Sequence, residues 1–152
     1  MIENAIQLET NVDDMDPRLW PHVIDRLLGV GAHDAWVTPI LMKKGRPAHT
    51  LSVLCDESAA SAVRQIIFTE TTTLGIRETA ITKHVLDREE ASVVVDGQTI
   101  GVKLGFYEGV VVNRSVEWDD VLAASVALGQ PAKLVAQAAA EQANALPQRA
   151  ID

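Results

Sequence analysis

The chain has 152 residues and a mass of 16.4 kDa, enough for one domain of ordinary size or two small lobes but not for two full-sized domains. Hydrophobic residues make up 47% of the chain and charged residues 22%, which predicts a packed core and excludes a disordered, collagenous or coiled-coil protein. Because 13 Lys and Arg face 21 Asp and Glu, for a net charge of −8, and no basic run is present, we expect no binding to nucleic acid or to an anionic membrane.

The sequence shows no membrane or secretion signal. No stretch approaches the roughly 18 continuous apolar residues of a membrane span, and the start MIENAIQLE lacks the apolar region of a signal peptide. We therefore expect a cytoplasmic location. The one cysteine, Cys55, excludes an internal disulfide and ends the apolar run 51–55, so it is predicted to be a small core residue rather than a nucleophile.

The first predicted elements are a strand and a helix. A strand is predicted within Ile2–Val12, and the acidic stretch 13–16 ends it. Apolar residues with the three-and-four spacing of one helical face then predict a helix. It starts close to Pro17 or Arg18, because Pro21 is tolerated only in a first turn. These apolar residues are Leu19, Val23, Ile24, Leu27 and Leu28.

A hairpin, a second helix and a further strand follow. Residues 35–42 and 51–55 are predicted strands on either side of the basic loop 43–47, and Pro39 places the first of them at a sheet edge or a bulge. A helix is predicted from the candidate cap Asp56 to the threonines 71–73, and then a strand over 76–86. The order β-α-β-β-α-β predicts a ferredoxin-like lobe over residues 1–86.

The remainder, residues 87–152, is predicted to form a second lobe of the same compact domain. Short strands separated by hairpin-turn pairs predict an antiparallel β-meander, and two helices follow, over 118–128 and from Pro131 to about Leu146. The fold class is therefore α+β: a ferredoxin-like βαββαβ unit, then a small antiparallel β-meander and two C-terminal helices. The meander strands are predicted at 92–95, 99–104 and 110–113.

An acidic stretch after the first strand is the first candidate site. Asp13, Asp14 and Asp16 are three carboxylates within four positions. Adjacent carboxylates repel each other unless a cation lies between them, which points to a hydrated Mg²⁺ or Mn²⁺. The alternative is a helix N-terminus, with Asp16 as the cap and the other two beside the positive end of the helix dipole.

The densest positive charge lies in the predicted hairpin loop. Lys43, Lys44 and Arg46 surround Gly45, which permits a close approach of the backbone, so the loop is suited to clamp phosphate oxygens. The alternative is a solvated hairpin loop that binds nothing.

A run of threonines is the third candidate. Residues 71–73 offer hydroxyl and backbone N–H groups, Gly75 allows a positive φ, and Arg77 adds a cation on the next strand. The alternative is a helix end frayed by β-branched residues. The glycine-rich patterns of the P-loop and the dinucleotide fold are absent.

Five strings of the sequence carry a family resemblance. The strings LETNVDDMDP, TPILMKKGRPAHTLSVLC, TTTLGIR, VKLG and VEWDD, in this order, resemble the carboxy-terminal domain of the LarC family. That family comprises the nickel-insertion proteins of the lactate racemase system. The resemblance extends from about Leu8 to the last helix.

The resemblance implies a CTP-dependent nickel chelatase of the lyase class that requires Mn²⁺ or Mg²⁺. Such an enzyme inserts nickel, its substrate ion, into pyridinium bisthiocarboxylate mononucleotide to complete the nickel-pincer nucleotide cofactor, and hydrolyses CTP to CMP and pyrophosphate. In the family the carboxy-terminal domain binds the nucleotide and forms a homo-oligomer, while a separate amino-terminal domain handles the precursor and nickel. We therefore expect this chain alone to be inactive in nickel insertion.

The residues and the resemblance together predict one site. We expect metal ligands, cations that neutralise the triphosphate, and further contacts to phosphate or ribose. The metal ligands are Asp13 and Asp14, and the cations are Lys43, Lys44 and Arg46. The further contacts come from Thr72, Thr73 and Arg77. The rival hypothesis is a non-catalytic oligomerisation module that supports a missing amino-terminal domain, with the same charged strings forming salt bridges between subunits.

Overall fold

The structure is a computed structural model that describes residues 1–147. These form two compact units, residues 2–84 and residues 85–147 with Met1, and each unit combines helices with an antiparallel sheet. The predicted α+β class is confirmed, with a βαββαβ unit, a β-meander and two further helices. Residues 148–152 of the predicted second lobe lie outside the described residues. Within the described part, no helix is long and apolar enough to cross a membrane.

The unit 2–84 has the ferredoxin-like strand order β2-β3-β1-β4, with antiparallel neighbours throughout. Strand β2 lies at an edge, as its proline predicts. The elements of this unit are β1 (Ile2–Val12), α1 (Trp20–Gly29), β2 (Ala32–Met42), β3 (Arg46–Cys55), α2 (Glu57–Glu70) and β4 (Arg77–His84).

The start of α1 differs slightly from the prediction. A single 3-10 turn, Pro17–Leu19, precedes the α-helix, and the Asp16 carboxylate accepts a hydrogen bond from the Arg18 backbone N–H at 3.0 Å. The proline ring fixes φ for this first turn, and the α-helical hydrogen bonds begin three residues later. Asp16 is therefore a cap, as one of the two sequence interpretations has it.

The β2–β3 hairpin closes over a three-residue loop. Met42 is paired with Arg46, so the loop consists of Lys43–Gly45. Lys44 and Gly45 adopt φ values of 64° and 69°, and this left-handed pair reverses the chain. The loop thus carries its two lysines at the end of the hairpin.

One face of the four-stranded sheet packs against α1 and α2 and forms the core of this unit. Its fully buried side chains come from the two central strands, β1 and β3, and from both helices, as the periodic patterns predict. Cys55 is among them with 0% exposure, which confirms it as a core residue. The fully buried residues include Leu8, Val23, Leu27, Leu51, Val53, Val63 and Ile67.

The second unit consists of a three-stranded sheet, in the order β5-β6-β7, and two helices that cover one face. The strands are longer than predicted, because β5 begins with consecutive charged residues and β6 continues past a glycine, and neither feature is typical of a strand. The elements are β5 (Asp87–Val95), β6 (Gln98–Tyr107), β7 (Val110–Val116), α3 (Trp118–Leu128) and α4 (Ala132–Asn144).

The beginning of α3 is fixed to the middle strand by Gly101. The Glu117 N–H donates to the Gly101 carbonyl at 2.8 Å, and the Gly101 N–H donates to the Asp120 carboxylate at 2.8 Å. Lys103 pairs with the Glu117 carboxylate at 2.5 Å, and this hydrogen bond raises the pKa of the Lys103 ammonium. A Cβ at Gly101 would lie only 3.0 Å from the Glu117 side chain, so glycine permits the close approach.

Candidate functional site

A cavity of about 400 Å³ lies at the end of β1 in the unit 2–84. Its walls come from β1, from the acidic residues after it, from the end of β2 and from the loop between α2 and β4. The lining residues are Thr10, Asn11, Val12, Asp13, Asp14, Met42, Thr72, Thr73, Leu74, Gly75 and Arg77.

The sheet register brings these segments together. Strand β4 pairs with β1 from Ile2 up to Glu9, which lies opposite Arg77. The loop that precedes Arg77 therefore continues alongside the last residues of β1. On the other side, β3 pairs with β1 up to Val12, which places the basic hairpin next to the acidic residues.

The acidic residues are tied to both neighbouring loops. The Thr72 hydroxyl donates to the Asp14 carboxylate at 2.5 Å. The Arg46 guanidinium donates to the Asp13 carboxylate at 3.2 Å, and Asp13 is the less exposed partner. Asp14 thus has a hydroxyl group as its partner, and Asp13 has a cation.

Arg77 is held over the sheet by a polar network. Its guanidinium donates to the Asn11 side-chain oxygen at 3.0 Å and lies 4.0 Å from the Glu9 carboxylate. The Thr50 hydroxyl donates to the same Asn11 oxygen at 2.9 Å. Asn11 therefore fixes the direction of a cation at the cavity wall.

Two threonine hydroxyls and one carbonyl form a second network. The Thr10 Oγ1 lies 2.5 Å from the Thr73 Oγ1 and 2.8 Å from the Gly75 carbonyl oxygen. Thr73 in turn lies 3.0 Å from that carbonyl. Thr10 is 1% exposed, so this contact connects the loop to the buried side of β1.

The structure places most of the predicted residues around this cavity. Arg46 does not line it but reaches one of its carboxylates, while Lys43 and Lys44 are exposed beside Met42 and form no ion pair with any residue of the range 1–147. The predicted residues that line the cavity are Asp13, Asp14, Thr72, Thr73 and Arg77.

Two polar lining residues were not predicted. Thr10 and Asn11 both belong to the string LETNVDDMDP, in which the pattern predicts them only as strand residues. The available signal is a threonine at the inward-facing position of the strand between Leu8 and Val12. A buried threonine at such a position needs a hydrogen-bond partner, which the loop supplies.

The polar side chains of the cavity that could ligate a metal ion do so through oxygen atoms. Carboxylates and hydroxyls are the ligands of hard cations such as Mg²⁺ and Mn²⁺, whereas nickel sites in proteins commonly use imidazole nitrogen or thiolate sulfur. Among residues 1–147, no three His, Cys, Asp or Glu side chains come close enough together to form a metal cage. The cavity can therefore contribute two carboxylates at most to a cation that keeps water and ligand oxygens as well.

Comparison with known proteins places the chain in a family. A family model described as "Nickel insertion protein" matches residues 1–136. The chain belongs to the nickel insertion protein family. A pyridinium-3,5-bisthiocarboxylic acid mononucleotide nickel insertion protein from Nocardioides sp. is 58% identical to the chain over 134 residues, 88% of this chain and 34% of the relative. A putative nickel insertion protein from Myxococcus xanthus is 40% identical over 132 residues, 87% of this chain and 34% of the relative.

A solved structure of this nickel insertion family has the same fold. It is LarC2, the C-terminal domain of a cyclometallase involved in the synthesis of the NPN cofactor of lactate racemase, in its apo form. The two chains are 29% identical with a TM-score of 0.88, and the match covers 96% of this chain and 100% of the other. The resemblance to LarC is thereby confirmed. The chain spans about a third of the length of the curated relatives it matches.

Proposed function

We propose that this chain is the CTP- and divalent-metal-binding part of a nickel insertase that completes the nickel-pincer cofactor of lactate racemase. The observation that carries the proposal is the cavity that joins two carboxylates, Asp13 and Asp14, to the segment from Thr72 to Arg77. The names of the relatives supply the reaction, since they describe nickel insertion into pyridinium bisthiocarboxylic acid mononucleotide.

The residues present fit a hydrated Mg²⁺ or Mn²⁺ that accompanies the nucleotide. Such ions are commonly bound through one or two carboxylates together with waters and substrate phosphates. Asp14 is exposed and has only a neutral hydroxyl partner, so it is free to contribute an oxygen, while Asp13 lies beside it. When bound, the ion would neutralise phosphate charge and polarise the phosphoryl oxygens.

The cations of the site suit a triphosphate. Arg77 is fixed at the cavity wall by Asn11, and Arg46 is held at the acidic end by its pair with Asp13. Guanidinium groups bind phosphate oxygens in a bidentate manner, and the flexible side chains of Lys43 and Lys44 supply further positive charge from the hairpin loop. Together they offset the negative charge that the acidic residues bring.

The proposed reaction cleaves CTP to CMP and pyrophosphate as nickel is inserted. In this cleavage water attacks the α-phosphorus. The bond from the α-phosphorus to the oxygen that bridges it to the β-phosphorus breaks, and pyrophosphate leaves. Phosphoryl chemistry of this kind demands positioning and charge neutralisation rather than a protein nucleophile. The buried Cys55 is accordingly not required, and the chain's residues bind and orient the phosphates.

A calorimetric titration tests the proposal. We expect CTP to bind with Mn²⁺ present and to bind far more weakly without it. The change of Asp13→Asn with Asp14→Asn should abolish both the tight binding and its dependence on metal. The control Asp25→Asn with Glu57→Gln removes the same charge from exposed positions outside the cavity and should leave binding unchanged. Absence of binding heat in the wild-type protein would support the rival oligomerisation module.

A further inference from the structure

The side chain of Asn11 has a fixed orientation in the cavity wall. Its oxygen, Oδ1, accepts hydrogen bonds from the Arg77 guanidinium at 3.0 Å and from the Thr50 hydroxyl at 2.9 Å. A guanidinium group has five N–H donors and no acceptor, so the Asn11 atom that faces it must be the oxygen and not the amide nitrogen. With the amide turned the other way, N–H groups would point at N–H groups. The contact with Arg77 therefore decides which way the amide faces.

The amide nitrogen of Asn11, Nδ2, is left available. Every side-chain hydrogen bond of Asn11 within residues 1–147 goes to Oδ1, so the two N–H groups of Nδ2 have no protein partner there. Nδ2 is also accessible, because in this range the fully buried side-chain nitrogens that lack a partner are those of Trp20 and Arg114. Asn11 lines the cavity. Two N–H donors thus remain for a ligand.

Arg77 has further unused donors beside this amide. One terminal guanidinium nitrogen donates to Asn11, and the same nitrogen lies 4.0 Å from the Glu9 carboxylate. The other terminal nitrogen and Nε have no hydrogen-bond partner in the part of the chain that the structure describes. Arg77 also lines the cavity. A neutral amide and a cation on neighbouring side chains therefore both have N–H groups free for a ligand.

We infer that Asn11 is a phosphate-binding residue of the proposed site: its Nδ2 donates to a phosphate oxygen of the nucleotide, beside the Arg77 guanidinium. This inference rests on the proposed function. A phosphate group has several acceptor oxygens on one phosphorus, so it can accept N–H groups from two adjacent side chains at once. A base or ribose oxygen is uncharged and would gain little from the neighbouring cation. The pair of donors therefore favours phosphate as the group that Asn11 contacts.

A neutral amide suits the charge balance of the cavity. Two carboxylates, Asp13 and Asp14, already line it, and Glu9 lies near Arg77. Another carboxylate on this wall would repel a phosphate, whereas an amide provides two donors and adds no negative charge. The change Asn11→Asp is informative for this reason. It keeps an acceptor oxygen for both protein donors and replaces only the amide nitrogen.

Two variants at position 11 test the inference. We would measure the Kd of CTP and of inorganic triphosphate at saturating Mn²⁺ by calorimetry, together with the melting temperature. Asn11→Ala should raise both Kd values roughly ten- to a hundredfold, the range for a hydrogen bond to a charged group. Asn11→Asp should raise them further, because a carboxylate then meets the phosphate, while its pair with Arg77 keeps the melting temperature at or above that of Asn11→Ala. If Asn11 served only to hold Arg77, Asn11→Asp would bind more tightly than Asn11→Ala.

Matched variants separate the amide donor from other effects of substitution. Asn4→Asp adds the same charge at an exposed position of β1 outside the cavity and should leave both Kd values within about twofold of the wild type. Thr50→Val removes one donor to Oδ1 of Asn11 but leaves the contact with Arg77 in place. It should therefore change Kd by less than about threefold.

The amide of Asn11 can also be observed directly in the wild-type protein. In a ¹H–¹⁵N spectrum recorded with Mg²⁺, its two proton signals can be assigned through the backbone of residue 11. Titration with inorganic triphosphate should shift them as the new hydrogen bond forms. The Gln7 amide, which donates to Glu9 at 3.0 Å outside the cavity, is the internal control and should shift much less.

Specific results would overturn the inference. They are an unchanged Kd in Asn11→Ala, tighter binding by Asn11→Asp than by Asn11→Ala, and Asn11 amide signals that stay in place at saturation. A loss confined to CTP, with triphosphate binding unchanged, also contradicts it, because the contact would then be with base or ribose. If the wild-type protein binds neither CTP nor inorganic triphosphate with Mn²⁺, the proposed function is wrong and the inference falls with it. Any of the other results, with the wild type binding both ligands, contradicts the inference alone.

Discussion

The thiol of Cys55 is the clearest case of a single side chain whose environment sets its chemistry. Burial raises the pKa of this thiol, and the nearby negative charges of Asp56 and Glu78 raise it further. The thiolate is thus disfavoured in the folded state. Cys55 is therefore expected to be chemically inert in the native protein.

This raised pKa predicts a loss of stability at alkaline pH. The folded state keeps the thiol proton to a higher pH than the unfolded state, so the contribution is fully present below the ordinary thiol pKa of about 8.5 and is lost as pH rises through the folded pKa. We expect the free energy of unfolding in urea to fall more steeply above about pH 8.5 for the wild type than for Cys55→Ala. Parallel curves for the two proteins would contradict the prediction.

Gly101 gives a second prediction at the residue scale. A Cβ there would lie 3.0 Å from the Glu117 Cγ and 3.1 Å from the Asp120 Oδ2, so Gly101→Ala should lower the free energy of unfolding by about 1–3 kcal/mol, as overpacking does. Gly29→Ala is the matched control, since no atom lies within 4 Å of its Cβ position and alanine favours the helix. The measurement is urea unfolding. Equal stability changes in the two variants would show that the close approach at Gly101 is unimportant.

At the scale of elements, the end of β1 owes its chemistry to the loops on either side. Arg46, the first residue of β3 after the hairpin loop, pairs with Asp13, and the loop before β4 supplies Thr72 to Asp14. Both contacts depend on the strand order, which places β1 between β3 and β4. The site is therefore a property of the sheet rather than of any one segment.

The pairing of Arg46 with Asp13 makes a prediction about the basic loop. Arg46→Ala should weaken CTP binding by roughly 1.5–3 kcal/mol, the range for a hydrogen bond to a charged group, while the melting temperature changes little. Arg64→Ala removes a comparable half-exposed ion pair, with Glu78 at 2.9 Å, and should not affect binding. Titration calorimetry checks both variants. Normal binding by Arg46→Ala with a much lower melting temperature would make the loop a structural feature.

The sequence was sufficient for the order of elements and for five of the eleven residues that line the cavity. Helical and strand periodicities in turn along the chain predict the ferredoxin-like unit. Carboxylates at a strand end point to Asp13 and Asp14, and a run of threonines at a helix-to-strand junction points to Thr72. The contacts among these residues could not be predicted, because they follow from the register of three strands that are distant in sequence. Thr10 was missed for a related reason, since its role depends on a loop more than 60 residues away.

The extent of the β-meander shows a second limit. Strand β5 begins at Asp87, but the charged residues of its first half suggested a loop. The four charged residues of this half are consecutive and exposed or only partly buried, so this part of the strand shows no alternation of polar and apolar residues. Periodicity over so short a segment does not distinguish such a strand from a polar connection.

At the scale of the whole molecule, the side chains available as metal ligands predict that this chain does not bind nickel tightly by itself. Its one cysteine is buried, and within residues 1–147 no cluster of metal-binding side chains is present. We therefore expect equilibrium dialysis to detect no stoichiometric, high-affinity nickel site. Nickel insertion should need the part of the relatives' length that this chain does not match. Efficient nickel insertion by the 152-residue chain alone would contradict this division of labour.

The central claim is that the cavity at the end of β1 holds a metal–triphosphate complex. The most direct test is a crystal structure with Mn²⁺ and a non-hydrolysable CTP analogue, in which the anomalous signal locates the ion. We expect the manganese peak beside Asp13 and Asp14, with the phosphates against the loop from Thr72 to Arg77. A manganese ion and triphosphate elsewhere in the chain, for example beside Lys103 and Glu117, would contradict the account.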